Sequence, residues 1–185
     1  MDIRHAQGCN CRADVTTMLG MSDLYTISVV CTGNICRSPI GEVVLRTAME
    51  EAGLGDRVLV ASAGTGEWHL GDDADHRALA VLRLKGHTLH DHRARKFSAE
   101  NFDDVDLILA LDYSHVDTLR ALAPDEESAQ KVRLLRSFDP DAVAEDDLEV
   151  ADPYYGDRRD FEITYDEVAA ATPGVVAYVR TQLSD

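Results

Sequence analysis

Short apolar runs alternate with amphipathic stretches along most of this chain. Tyr25–Val30 is β-rich and apolar and predicts a buried strand. Pro39 opens a helical pattern to about Ala52, with Val43, Val44, Thr47 and Ala48 on one face and Gly53 and Gly55 as its stop. A second strand is predicted over Arg57–Ala61, ending in the loop Ser62-Ala63-Gly64-Thr65-Gly66. Asp75–Lys85 reads as a helix with Ala74, Ala78, Leu79 and Leu82 inward and Gly86 as its stop. A third strand (Asp106–Leu111), a helix (Asp112–Leu122), a fourth strand (Lys131–Leu135) and a helix over Asp160–Leu183, bent near Pro173, complete the pattern. Strands that alternate with helices make parallel β-α-β units with helices on both faces. The expected fold is therefore α/β, a three-layer αβα sandwich on a four-stranded parallel sheet.

Residues 1–24 are polar, lack periodicity and carry a second methionine at Met21, so a disordered N-terminal extension is expected, with one domain over 25–185. Composition narrows the function classes. Acids outnumber bases 34 to 18, a formal charge of −16, which disfavours nucleic acid and anionic membrane surfaces as partners. No apolar run is long enough for a transmembrane helix, and the first 20 residues lack the apolar core of a secretory signal. A cytoplasmic location is expected, with export without a signal peptide left open. The charge is uneven: Asp139–Glu167 holds twelve acids and two arginines, whereas His76–Lys96 holds six Lys/Arg and one acid. The basic stretch is either a solvated face or a positive wall in a negative field. The four cysteines, Cys9, Cys11, Cys31 and Cys36, cluster in the first fifth of the chain, which suits chemistry rather than a disulfide framework. Cys9-Asn10-Cys11 with His5 is too sparse for a zinc site. No metal or cofactor is expected.

The segment Val29-Val30-Cys31-Thr32-Gly33-Asn34-Ile35-Cys36-Arg37-Ser38-Pro39 runs from a strand end into a helix start. Ligands of open α/β sheets bind beyond the carboxyl ends of strands. A helix N-terminus adds unpaired N–H groups and a positive dipole end, so this turn, between strand 1 and helix 1, is a candidate phosphate-binding loop. Gly33 permits close backbone approach, and Asn34 tolerates the left-handed conformation that a curled loop needs. Cys31 sits where N–H donors and Arg37 favour a thiolate. The planar guanidinium of Arg37 matches phosphate oxygens, and Ser38 can donate to the sulfur. A thiolate in a phosphate cradle implies phosphoryl transfer through a cysteinyl-phosphate. The bland alternative is a buried structural cysteine with a capping serine.

The loop C-T-G-N-I-C-R-S-P resembles that of the low-molecular-weight protein-tyrosine-phosphatase family. The resemblance extends from Tyr25 to about Leu183 through Ser62–His69, His92–Arg95, Asp106–Asp112 and Asp152-Pro153-Tyr154-Tyr155-Gly156. It implies Cys31 as nucleophile, Arg37 as phosphate clamp and Asp152 as general acid and base, with Thr32, Gly33, Asn34, Ile35, Cys36, Arg37 and Ser38 around the phosphate. It implies that Asn34, Ser38, Ser62 and His92 support the loop, and that Ile35, Trp68, Tyr154 and Tyr155 wall the cleft. Trp68, the only tryptophan, reads by itself as core filling or as a loop rim.

An aromatic-walled cleft favours phosphotyrosine in a protein substrate. Protein-arginine phosphatases share the fold but resemble C-T-G-N-T-C-R-S, with threonine where this chain has Ile35. Arsenate reductases need further cysteines downstream, and none follows Cys36. A non-catalytic phosphoprotein-binding module is disfavoured by the presence of Cys31, Arg37 and Asp152 together. Cys36 is a candidate redox partner of Cys31. Tyr154 and Tyr155 are candidate targets of a cognate tyrosine kinase, as the family suggests, and a monomer is expected. The rim resembles the eukaryotic and actinobacterial branch of the family.

Overall fold

The computed structural model describes residues 24–184; the expectations for the extension before Leu24, including Cys9, Cys11 and His5, lie outside the described residues. Four strands, β1 (Tyr25–Cys31), β2 (Val58–Gly64), β3 (Leu107–Ala110) and β4 (Val132–Leu134), form one sheet in the order β2-β1-β3-β4. All pairings are parallel, with Cys31 opposite Gly64 at one end of the β1–β2 ladder. The helices are α1 (Arg37–Glu51), α2 (His76–Leu84), α3 (Tyr113–Leu122), α4 (Glu126–Gln130), α5 (Pro140–Glu145) and α6 (Arg158–Gln182).

The central strands are apolar on both sides because both sides are covered. Ile27, Val29 and Cys31 of β1 and Leu107 and Leu109 of β3 face a core shared with α1, α2 and α6. The alternate residues Val30, Ile108 and Ala110 face a second core with Phe97, Phe102 and the α3 residues Val116 and Leu119. This is the expected three-layer sandwich. The strand order reverses at β1: the chain goes out to β2 on one side and returns to β3 on the other. That places a crevice at the carboxyl ends of β1 and β3.

Several boundaries differ from the periodic reading. β2 runs on through Gly64, because Ser62 and Ala63 still pair with Val29 and Val30 of the central strand. Helix α1 starts at Arg37, so Arg37 and Ser38 belong to its first turn. Its buried side is Ile40, Val43, Val44, Leu45 and Met49, while Thr47 and Ala48 are only half-buried. In α2, Val81 takes the buried place expected for Leu79. Helix α6 begins at Arg158, two residues early, because Asp157 caps it through a reciprocal bond with Asp160. The one-turn helices α4 and α5 carry too few residues to show a period; Asp125 and Asp139 cap them. Among the described residues, no helix is long and apolar enough to cross a membrane.

Pro173 lies inside α6, which continues through it. The next residue, Gly174, packs so tightly on the chain after β4 that a Cβ there would meet the Phe138 carbonyl oxygen at 2.0 Å. Alanine in place of glycine in a helix ordinarily stabilises by about 1 kcal/mol. Here the sign reverses: Gly174→Ala is expected to destabilise by about 1–3 kcal/mol, lowering the thermal midpoint by about 2–12 °C. A midpoint at or above that of the unmodified protein would show that α6 does not rest on this contact.

Candidate active site

The turn after β1 is curled by Asn34, whose φ of 56° puts it in the left-handed region. Asn34 is fully buried and uses nearly every polar atom. Its Nδ2 donates to Ser38 Oγ and to Ser62 Oγ, both at 2.9 Å. Its Oδ1 accepts from the Arg95 N–H at 3.0 Å, and its carbonyl oxygen lies 2.7 Å from His92 Nε2. Its own N–H points at Cys31 Sγ at 3.3 Å. Ser62 in turn donates to Glu42 Oε2 at 2.6 Å. Ser38 Oγ lies 3.1 Å from the Cys31 sulfur. Asn34 already donates to Ser38, so the serine hydrogen has two acceptors in reach, the Cys31 sulfur and the Ala63 carbonyl oxygen at 3.3 Å. Gly64 closes the back of the loop; a Cβ on it would meet the Thr32 carbonyl oxygen at 2.7 Å.

Helix α1 begins beyond this turn without a side-chain cap or an acidic residue in its first turn. Its N–H groups and dipole therefore favour an anion at the mouth of the loop. Arg37 is buried, with Nη1 2.8 Å from Asp112 Oδ2 and Nη2 2.7 Å from Asp152 Oδ2. Two weaker contacts, to Val150 O at 3.4 Å and Thr32 Oγ1 at 3.5 Å, fix its plane. Asp112 caps α3 at the end of β3. Burial pushes its pKa up, but hydrogen bonds from Ser114 and the His115 N–H, with help from Arg37, outweigh burial and hold it below the usual range. Asp112 is thus a permanent counter-charge, whereas Asp152 is half exposed.

Two further buried groups lie beside the loop, Cys36, the candidate redox partner, and His115. Cys36 is buried, and burial first, then the charges of Asp75, Cys31 and Asp152, push its pKa up to about 12. It therefore offers little thiolate at neutral pH, which makes it a slow attacker on an oxidised Cys31. His115 touches the loop through Thr32 Oγ1, 2.9 Å from its Nε2. Burial and the charge of Arg37 push its pKa down to about 4, against Asp112.

A cleft of about 510 Å³ opens over Cys31, Gly33 and Arg37. Ile35, Trp68, His69, Asp152, Tyr154 and Tyr155 line it, and the rings of His69 and Tyr154 lie 6.1 Å apart. Trp68 is 79% exposed, so it is a rim residue and not core filling. Tyr154 and Tyr155 stack edge to face, with ring centres 4.9 Å apart. Among the described residues, those that the resemblance assigns to the site come together here or directly behind the loop. Those not singled out, Glu42, Asp112 and His115, read as ordinary helix residues, and His69 was noted only as a neighbour of Trp68 in its loop. Asp112-x-x-His115 after a strand was visible only as a cap signal.

The basic stretch does not form a free positive wall. Arg77 pairs with Asp75, Lys85 with Asp166, Arg93 with Asp73 and Lys96 with Glu67. Arg95 donates its Nε–H to the Ser62 carbonyl. The positive focus is Arg37 and the loop itself.

Residues 26–185 match the family model described as low molecular weight phosphotyrosine protein phosphatase. The chain is similar to a Streptomyces coelicolor low molecular weight protein-tyrosine-phosphatase, 54% identical over 159 residues, covering 86% of this chain and 96% of the relative. It is 46% identical over 164 residues to low molecular weight protein-tyrosine phosphatase A of Mycobacterium tuberculosis, covering 89% and 97%. Among solved structures, a protein tyrosine phosphatase from Entamoeba histolytica with Hepes in its active site superposes with a TM-score of 0.80 at 29% identity, covering 85% of this chain and 98% of that one.

The buried His115 generates a pH prediction. Its folded pKa of about 4 lies below the ordinary imidazole value of 6.5. Between those values the unfolded chain binds more protons than the folded one, so stability rises with pH across that window and is lost as pH falls through it. Denaturant titrations at pH 7 and pH 4.5 are expected to show a larger acid loss in the unmodified protein than in His115→Asn. Equal losses would mean that His115 is not held neutral.

Proposed function

The chain belongs to the low molecular weight phosphotyrosine protein phosphatase family, and from that premise we propose that it hydrolyses phosphotyrosine in proteins through a cysteinyl-phosphate on Cys31. The observation that carries this reading is one cleft with a sulfur, a buried guanidinium and a carboxylate around its floor and aromatic side chains at its rim. A phosphate seated on the loop N–H groups and on Arg37 lies in line with the Cys31 sulfur. The thiolate forms the S–P bond as the P–O bond to the phenolate breaks, and the Asp152 carboxyl delivers its proton to the leaving oxygen. Tyrosine departs. The Asp152 carboxylate then takes a proton from water, the water oxygen attacks phosphorus, the P–S bond breaks, and inorganic phosphate leaves with the thiolate restored.

Arg37 supplies planar, two-point recognition of the equatorial oxygens as charge moves through the transition state. In the free protein Asp152 occupies Arg37 Nη2 at 2.7 Å. Substrate phosphate must take that contact, which frees Asp152 to turn toward the leaving oxygen. Asn34, Ser38, Ser62, His92 and Glu42 keep the cradle formed beforehand, so little reorganisation opposes the reaction.

The depth of the cleft selects the ester. Trp68 and the tyrosine pair stand above the floor and stack on a phenyl ring, whereas a phosphoserine side chain offers nothing to stack. Ile35 adds an apolar face beside the phosphate. Tyr155, 96% exposed, is the more accessible of the two tyrosines that we propose as kinase targets.

The test is a comparison of kcat/KM on matched phosphotyrosine, phosphoserine and phosphoarginine peptides. Phosphotyrosine is expected to lead, and Trp68→Ala is expected to lower its kcat/KM by about tenfold, one aromatic stacking contact of ~1–1.5 kcal/mol. Equal or better turnover of phosphoserine or phosphoarginine would overturn the tyrosine assignment.

A further inference from the structure

The segment that carries Asp152 is anchored at both ends. On the near side, the Val150 N–H donates to Leu111 O at 2.7 Å and the Ala151 N–H to Glu167 Oε2 at 2.8 Å. Thr164 Oγ1 donates to Ala151 O at 2.9 Å. On the far side, one side chain makes both contacts: Arg77 donates from Nη2 to Tyr154 O at 3.0 Å and from Nη1 to Gly156 O at 2.8 Å.

Arg77 is itself held in three ways. Its Nε and Nη2 donate to the two oxygens of Asp75 at 3.0 and 2.8 Å. Its guanidinium carbon lies 4.6 Å over the Phe161 ring. Asp75, whose side chain is only 11% exposed, donates its own N–H to the Ile35 carbonyl at 2.8 Å. A single connected path therefore runs from Ile35 of the phosphate loop, through Asp75 and Arg77, to the backbone of Tyr154 and Gly156. Only a planar fork reaches two carbonyls and a carboxylate at once.

Asp152 has few contacts of its own. Beyond Arg37, its Oδ1 accepts from the Tyr154 N–H at 3.1 Å, within the same segment. Once substrate phosphate occupies Arg37, the carboxyl depends on the backbone beneath it. We propose that Arg77, braced by Asp75, is a positioning residue for the acid step: it holds Tyr154–Gly156 at a set distance from Ile35, so that Asp152 stays over the leaving oxygen. This inference rests on Asp152 being the general acid.

The experiment uses leaving groups of different basicity. With the acid in place, a basic phenolate departs nearly as readily as a weakly basic one; with the acid displaced, the basic one lags. In Arg77→Met, which keeps the stem over Phe161 but removes the fork, kcat/KM for phenyl phosphate is expected to fall about tenfold more than for p-nitrophenyl phosphate. Inhibition by inorganic phosphate should stay within about twofold, since Cys31 and Arg37 are untouched. Arg77→Lys, which keeps charge without the fork, should shift the same ratio less and serves if the methionine variant does not fold. Adding Arg77→Met to Asp152→Asn should change the ratio no further. Equal losses on both esters in the folded Arg77 variants, or a further change in the double variant, would overturn the inference. An Asp152→Asn variant with an unchanged ratio would instead overturn the acid assignment, and the inference with it.

Discussion

The site depends on one backbone constraint, the left-handed turn at Asn34 that bends the chain after Cys31 back over its own sulfur. Such a conformation is costly for a non-glycine residue unless neighbours hold it. Here the holders are Ser38, Ser62, Arg95 and His92, which satisfy the Asn34 side chain and carbonyl. The same bonds aim the Asn34 N–H at the sulfur and set the Ser38 hydroxyl beside it. The loop is thus held by its own hydrogen bonds, and the carboxyl end of the sheet supplies its foundation: β1 ends in Cys31, and β2 ends opposite it in Gly64.

Charge is handled locally. The chain carries −16 overall, yet the cleft floor is built around a buried arginine. Asp112 and Asp152 both pair with Arg37, Asp112 largely buried and Asp152 half exposed, and the proposed reaction displaces the exposed one. The six bases between His76 and Lys96 are mostly spent on acids and carbonyls around the loops. One of them, Arg77, ties the acid-bearing segment to the phosphate loop. The global charge sets solubility and long-range field, while the anion site depends on a handful of oriented donors.

The strands and the loop were legible because their signals are local. Parallel, doubly covered strands read as continuous apolar runs, and Cys31 to Ser38 lie within one turn of chain. Asp152 was legible only through resemblance: it meets Arg37 across 115 residues of chain, and it sits among twelve acids between Asp139 and Glu167 that look alike in sequence. Glu42, Asp112, His115 and Arg77 were missed for the same reason. Each is an ordinary cap or helix-surface residue until the tertiary fold brings its partner close. Strand β2 was cut short because Ser62, Ala63 and Gly64 read as a loop, although pairing with the central strand overrides that preference.

The central claim is covalent transfer to Cys31. Its most direct test is rapid acid quench of the Asp152→Ala variant during turnover of p-nitrophenyl phosphate, followed by mass spectrometry of the proteolytic peptides. One phosphoryl group on the peptide that contains Cys31, disappearing when substrate is exhausted, is the predicted result. Continued turnover with Cys31 unmodified throughout, or with phosphate on another residue, would contradict it.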